Sequence, residues 1–126
     1  MKRTALALVA APVLASALVA PVHAAEAGQA SSSVYVLSVR DVSSGSIKAL
    51  SLQCDPAGGT HPRAEAACEA IAEGGSIRNA KGEDRACTMV HDPVVATASG
   101  AEEYQQEFPN HCMLTSEKGA IFDFGN

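Results

Sequence analysis

The chain has no cluster of lysine and arginine, no Cys-x-x-Cys or His-x-x-x-His spacing, no Gly-x-Ser-x-Gly, and no internal repeat. Each absence excludes something. With a formal charge of -5 and no basic patch, a nucleic-acid backbone or an anionic membrane surface has nothing to attract it. The gaps between successive cysteines hold 13, 18 and 24 residues, whereas structural zinc sites favour ligand pairs two to five apart, so no metal site and no cofactor are expected. Without a nucleophile elbow, His91 and Asp92 with any of the serines make a poor hydrolase, because these two adjacent residues on an extended segment point to opposite sides. The chain is not expected to be an enzyme.

A continuous apolar run long enough to span a membrane is also missing. The apolar stretch from Ala5 to Ala20 is interrupted by Pro12 and Ser16, follows Lys2 and Arg3, and leads to small residues at Val22-His23-Ala24. That is the layout of a cleaved export signal over residues 1–24. Its removal takes away two basic and no acidic residues and moves the formal charge to -7. The remaining chain is expected to be extracellular, with no membrane association after cleavage. Residues 25–33 lack large apolar groups and are expected to form a flexible arm ahead of a single domain over residues 34–126.

All four cysteines, Cys54, Cys68, Cys87 and Cys112, fall in the exported part, which implies two disulfides. Three pairings are possible and the spacing does not choose among them. The sequential pairing would close loops contributing roughly 3 kcal/mol each in the chain-entropy model.

Periodicity gives the architecture. Val34 to Val39 alternates Tyr35, Leu37 and Val39 on one face with Val34, Val36 and Ser38 on the other, so both faces could be covered. Ser43-Ser44-Gly45 forms a turn, and Ile47 to Cys54 returns as a second strand. Asp55 to Gly59 is a loop by composition, and Pro62 can open a helix carrying Ala64, Ala67, Cys68 and Ile71 up to Gly74-Gly75. Glu65, Glu69 and Glu73 line a solvated face of that helix. Residues 77–86 are polar and carry no clear period. Val94 to Ala98 and Tyr104 to Phe108 form a hairpin, and Ala120, Ile121, Phe122 and Phe124 suggest a last short strand. Four or five strands around one main helix make an α+β domain with an antiparallel sheet.

The segment Arg85 to Pro93 stands apart. Met89 taken alone could be buried filler, the usual fate of methionine; Arg85, Thr88, His91 and Asp92 build no apolar face of either period around it, which argues for exposure, and the residue types leave both readings open. A disulfide at Cys87 would tether the segment on one side, and Pro93 stiffens it on the other. Asp92, a short carboxylate before proline, suits a turn in which it accepts local backbone hydrogen bonds.

The pattern Cys54-x-x-x-Gly58-x-Thr60-His61-Pro62-x-x-x-x-Ala67-Cys68, then Cys87-x-Met89-Val90-x-Asp92-Pro93-Val94, then Phe108-x-Asn110-x-Cys112 and Phe122-x-Phe124, resembles the Streptomyces subtilisin inhibitor family. The resemblance implies a secreted inhibitor of serine proteases, subtilisin-like enzymes first and chymotrypsin-like enzymes second. It implies a five-stranded antiparallel sheet packed with one main and one shorter helix, and a homodimer formed through the sheet. It pairs Cys54 with Cys68 and Cys87 with Cys112. The reactive bond falls on Met89-Val90, with Ala86, Cys87, Thr88 and His91 as loop contacts and Asp92, Pro93 and Asn110 as loop support. Thr88 replaces the proline often found there, removing one φ restraint, and Ala86 offers the protease groove little apolar surface. The alternative is a secreted binding or cross-linking substrate protein on the same scaffold without inhibitory activity.

Overall fold

The computed structural model describes residues 32–125. The export signal and most of the arm fall outside the described residues. Ser33, expected in the arm, opens the first strand opposite Cys54.

Five strands form one antiparallel sheet: β1 (Ser33–Asp41), β2 (Ile47–Cys54), β3 (Gly58–Gly59), β4 (Val94–Gly100) and β5 (Tyr104–Phe108), in the order β3-β2-β1-β4-β5. Tyr35 pairs with Leu52 on one side and with Gly100 on the other. Two helices, α1 (Ala64–Gly74) and α2 (His111–Lys118), and a 3₁₀ turn at Gly119–Phe122 complete the chain. Tyr35, Leu37, Leu52 and Phe108 pack from the sheet against Ala67 and Ile71 of α1, Leu114 of α2, and Ile121, Phe122 and Phe124. No helix among the described residues is long and apolar enough to cross a membrane.

The fold corrects the sequence reading in four places. Ala120 to Phe122 belong to a 3₁₀ turn and not to a strand, because a buried apolar run carries the same signal in either conformation. The fifth strand comes from Gly58–Gly59, inside the expected loop, and pairs with Leu52 and Gln53. The second face of β1 is open: Val34 and Val36 are half exposed. Residues 77–86 also have a definite structure. Ile77 and Ala80 are buried, the Glu102 carboxylate accepts the Ile77 and Arg78 amides at 2.6 and 3.1 Å, and Gly82 N–H donates to the Glu117 carbonyl at 2.7 Å.

The disulfides are Cys54–Cys68 and Cys87–Cys112. The first joins the end of β2 to α1. Glu65, Glu69 and Glu73 lie on the exposed face of α1 as expected, and the helix ends on Gly75 at φ 79°, a conformation that favours glycine. His61, ahead of α1, is buried. Its Nδ1 accepts the Arg63 amide at 2.9 Å, so Nε2 carries the proton and donates to the Ile121 carbonyl at 2.9 Å.

Candidate functional site

Residues 81–93 contain neither helix nor strand, and they run past α2 before entering β4. Ala86, Thr88, Met89, Val90, His91 and Asp92 are exposed, while Cys87 and Pro93 are partly covered. Met89 is 96% exposed and Val90 59%, the former being the most exposed large apolar side chain among the described residues. An unpacked thioether at the tip of a loop gains nothing from the fold, since burial of a methionine is worth roughly 1.5–3 kcal/mol.

Three devices hold the backbone beneath this tip. On the N-terminal side, Cys87 is bonded to Cys112 in the first turn of α2, with 5.8 Å between their Cα atoms. In the middle, the Asn110 amide Nδ2 donates to the carbonyl of Thr88 at 3.2 Å and to that of Val90 at 2.9 Å, so its bonds straddle Met89. On the C-terminal side, the Asp92 N–H donates to the Pro109 carbonyl at 2.9 Å, and the Pro93 carbonyl accepts the Val42 amide at 3.0 Å.

Asn110 is itself fixed. It is 8% exposed, occupies the N-cap of α2, and its Oδ1 accepts the Met113 amide at 2.8 Å. One side of the amide caps the helix and the other side holds the loop, so neither can swing without losing its partner. The capping half is absent from the sequence expectation, although an Asn immediately before the first helical residue, His111, is a helix-start signal. Pro109, Asn110 and Met113 also line a small apolar depression against Met89, Val90 and His91.

Asp92 departs from expectation. Its carboxylate takes no local backbone donor; Oδ1 accepts the hydroxyl of Ser43, 3.0 Å away in the β1–β2 turn. In the sequence Ser43 reads only as a turn former, and a contact across 49 residues leaves no local signal.

A family model described as subtilisin inhibitor-like matches residues 30–110. Subtilisin inhibitor-like protein 5 of Streptomyces fradiae is 43% identical over 86 residues, covering 62% of this chain and 80% of that protein. The subtilisin inhibitor of Streptomyces albogriseolus is 36% identical over 126 residues, covering 91% of this chain and 88% of that one. Among solved structures, sermetstatin of Streptomyces caespitosus, crystallised in complex with Bacillus licheniformis subtilisin, superposes with a TM-score of 0.59 at 28% identity, covering 74% of this chain and 99% of that chain. With its sheet, its two disulfides and this breadth of match, the chain belongs to the subtilisin inhibitor-like family.

Proposed function

We propose that this chain is a secreted inhibitor of subtilisin-like serine proteases that presents Met89-Val90 as a substrate-like bond. The observation that carries the reading is the pairing of a 96% exposed Met89 side chain with a backbone held on both sides by Asn110. The side chain is free to enter a pocket, and the peptide bond is not free to move. Ala86, Cys87, Thr88 and His91 flank it as contacts along the protease groove.

The chemistry follows from that constraint. The protease serine attacks the Met89 carbonyl, the C–N bond to Val90 breaks, and the serine proton passes through the protease histidine to the Val90 nitrogen. An ordinary leaving fragment diffuses away. Here the new Val90 amine stays beside the acyl ester, since Asn110 holds the Val90 carbonyl and Asp92 is bonded to Pro109. The amine attacks the ester, the C–N bond reforms, and the proton returns to the serine oxygen. Religation therefore competes with hydrolysis, and ordering the loop before contact converts more contact energy into affinity.

Met89 sets the target. A flexible, uncharged thioether suits the apolar primary pockets of subtilisin-like and chymotrypsin-like enzymes, whereas a trypsin pocket carries a carboxylate that wants a cation. Titrating subtilisin with the purified protein should give a one-to-one endpoint per chain, with weak inhibition of trypsin. Full subtilisin activity at molar excess would overturn the inhibitor reading and favour a binding protein on this scaffold. A homodimer through the open face of the sheet belongs to the same reading, supported by the half-exposed Val34 and Val36. Sedimentation at micromolar concentration tests it, a monomer being the adverse result.

A further inference from the structure

The two sides of the Met89-Val90 bond are not held alike. The N-terminal side has a covalent anchor, Cys87–Cys112. The C-terminal side depends on hydrogen bonds from two other parts of the chain: Pro109 and Asn110 at the start of α2, and the turn between β1 and β2. That turn reaches beyond the end of the sheet, where Asp41 pairs with Val94, and its Val42 amide donates to the Pro93 carbonyl.

Within the turn, the Ser43 hydroxyl lies 2.9 Å from Oδ1 of Asp41 and 3.0 Å from Oδ1 of Asp92. A hydroxyl has one proton to give. Oδ1 of Asp41 already accepts the Ser44 amide at 2.7 Å and faces the Ser44 hydroxyl at 3.0 Å, so its lone pairs are supplied without Ser43. The Ser44 amide is the foremost of the donors that hold the Asp41 carboxyl below its ordinary range. Among the described residues Asp92 has no second side-chain donor of this kind, and the proton of Ser43 is best used there.

We propose that Ser43 is a positioning residue for religation: its hydroxyl clasps the Asp92 carboxylate and keeps the Val90 amine within reach of the acyl carbon after the bond is cut. The inference rests on Met89-Val90 being the reactive bond. Ser43 does not touch the protease in this scheme. Its effect falls on the fate of the cleaved loop and leaves first binding almost untouched.

The test is Ser43→Ala, with Ser43→Thr as the rescue and Ser43→Gly, which suits a turn, where the alanine variant fails to fold. Each protein is incubated with catalytic subtilisin, and intact and cleaved chains are separated over time. Removing one solvent-exposed hydrogen bond to a carboxylate should raise both the hydrolysis rate and the cleaved-to-intact ratio at equilibrium about fivefold. Threonine should restore both, and melting temperature should stay close to the parent. Ser43→Ala in an Asp92→Ala background should then add nothing.

Amide hydrogen exchange at Asp92, measured on the free protein, should quicken in Ser43→Ala, and this readout needs no protease. An unchanged cleaved ratio together with unchanged Asp92 exchange would overturn the clasp, as would additive effects of the two alanines. Failure of the reactive-bond reading shows separately, as a parent protein that leaves subtilisin fully active.

Discussion

The two disulfides do different work with the same chemistry. Cys54–Cys68 spans a sequence separation of 14 and joins β2 to α1, two elements already packed through Leu52, Ala67 and Ile71. Cys87–Cys112 spans 25 and joins α2 to a segment without regular structure. The chain-entropy model assigns the first about 3 kcal/mol and the second about 3.5 kcal/mol. That ranking ignores the native state. Opening the first bridge leaves both ends where packing puts them, so its whole effect falls on the unfolded chain. Opening the second also frees the loop in the folded protein, and this added native freedom offsets part of the loss. The lesson is that a cross-link's contribution to stability and its contribution to function can be inversely ordered.

The largest expected effect isolates the loop from the fold. Met89→Lys should raise trypsin affinity on the order of 10³-fold, because the new ammonium meets the pocket carboxylate. The melting temperature should not move, since the Met89 side chain contributes almost no buried surface. Inhibition constants against trypsin and subtilisin, with a thermal melt, check both halves. A trypsin constant that stays put would mean that Met89 does not enter the primary pocket.

Replacing the bridges tests the comparison directly. Cys54→Ala with Cys68→Ala should lose about 3 kcal/mol in urea unfolding while the surviving folded protein still resists cleavage. Cys87→Ala with Cys112→Ala should lose less, about 1–2 kcal/mol, yet be hydrolysed at Met89-Val90 as an ordinary substrate. A larger stability loss from the second pair would break the argument.

How much of this was legible in the sequence follows the same division. β1, β2, β4, β5 and α1 were readable because their apolar positions repeat, whereas Arg85, Thr88, His91 and Asp92 only break the repeat around Met89, which leaves a buried methionine open, and the family pattern of Cys87, Met89, Val90 and Asp92 decides for the loop. Contacts that depend on distant partners left no trace. Gly58–Gly59 becomes a strand only because Leu52 and Gln53 offer an edge. Lys118 looks like a surface residue but is 6% exposed, with Nζ donating to the carbonyls of Ile77 and Arg78 at 3.2 and 2.8 Å. The sequence around α2 is polar, and its place is set by the Asn110 cap and by Leu114 against the core. The Ser43–Asp92 bond belongs to this second kind.

Asn110 serves both regions at once, and two substitutions separate its duties. Asn110→Ala removes the helix cap and both loop bonds, and should cost about 1–2 kcal/mol and quicken cleavage. Asn110→Asp keeps an oxygen for the Met113 amide but turns the other oxygen toward the Thr88 and Val90 carbonyls, which offer it no proton. Its stability should stay closer to the parent while its loop is cleaved as fast as in the alanine variant. Chromatographic cleavage assays beside urea unfolding distinguish the two; parallel losses in both variants would mean that cap and loop are one unit.

The smallest effect sharpens the comparison from the core side. Tyr104 opens β5, is buried, and packs against Phe122 with ring centroids 6.1 Å apart. Burial, aided by the charge of Glu117, pushes its phenol up to about 12 from an ordinary 10.0. A raised folded value means that the folded state keeps a proton the unfolded chain has released. Tyr104 thus contributes stability in full below pH 10 and loses it as pH rises toward about 12. Lys118, whose Nζ lies 5.3 Å from the Tyr104 ring centroid, works in the opposite sense. Burial lowers its pKa, so the folded state sheds that proton first and stability rises with pH up to the ordinary 10.5. Tyr104→Phe should remove the declining contribution alone, leaving melting temperatures that fall less than the parent's between pH 10 and 12. Met89→Lys should reproduce the parent profile, because its side chain lies outside the packed region that carries both titrations. If the loop variant also changed the alkaline profile, loop and core would be coupled and the two bridges would no longer divide their labour.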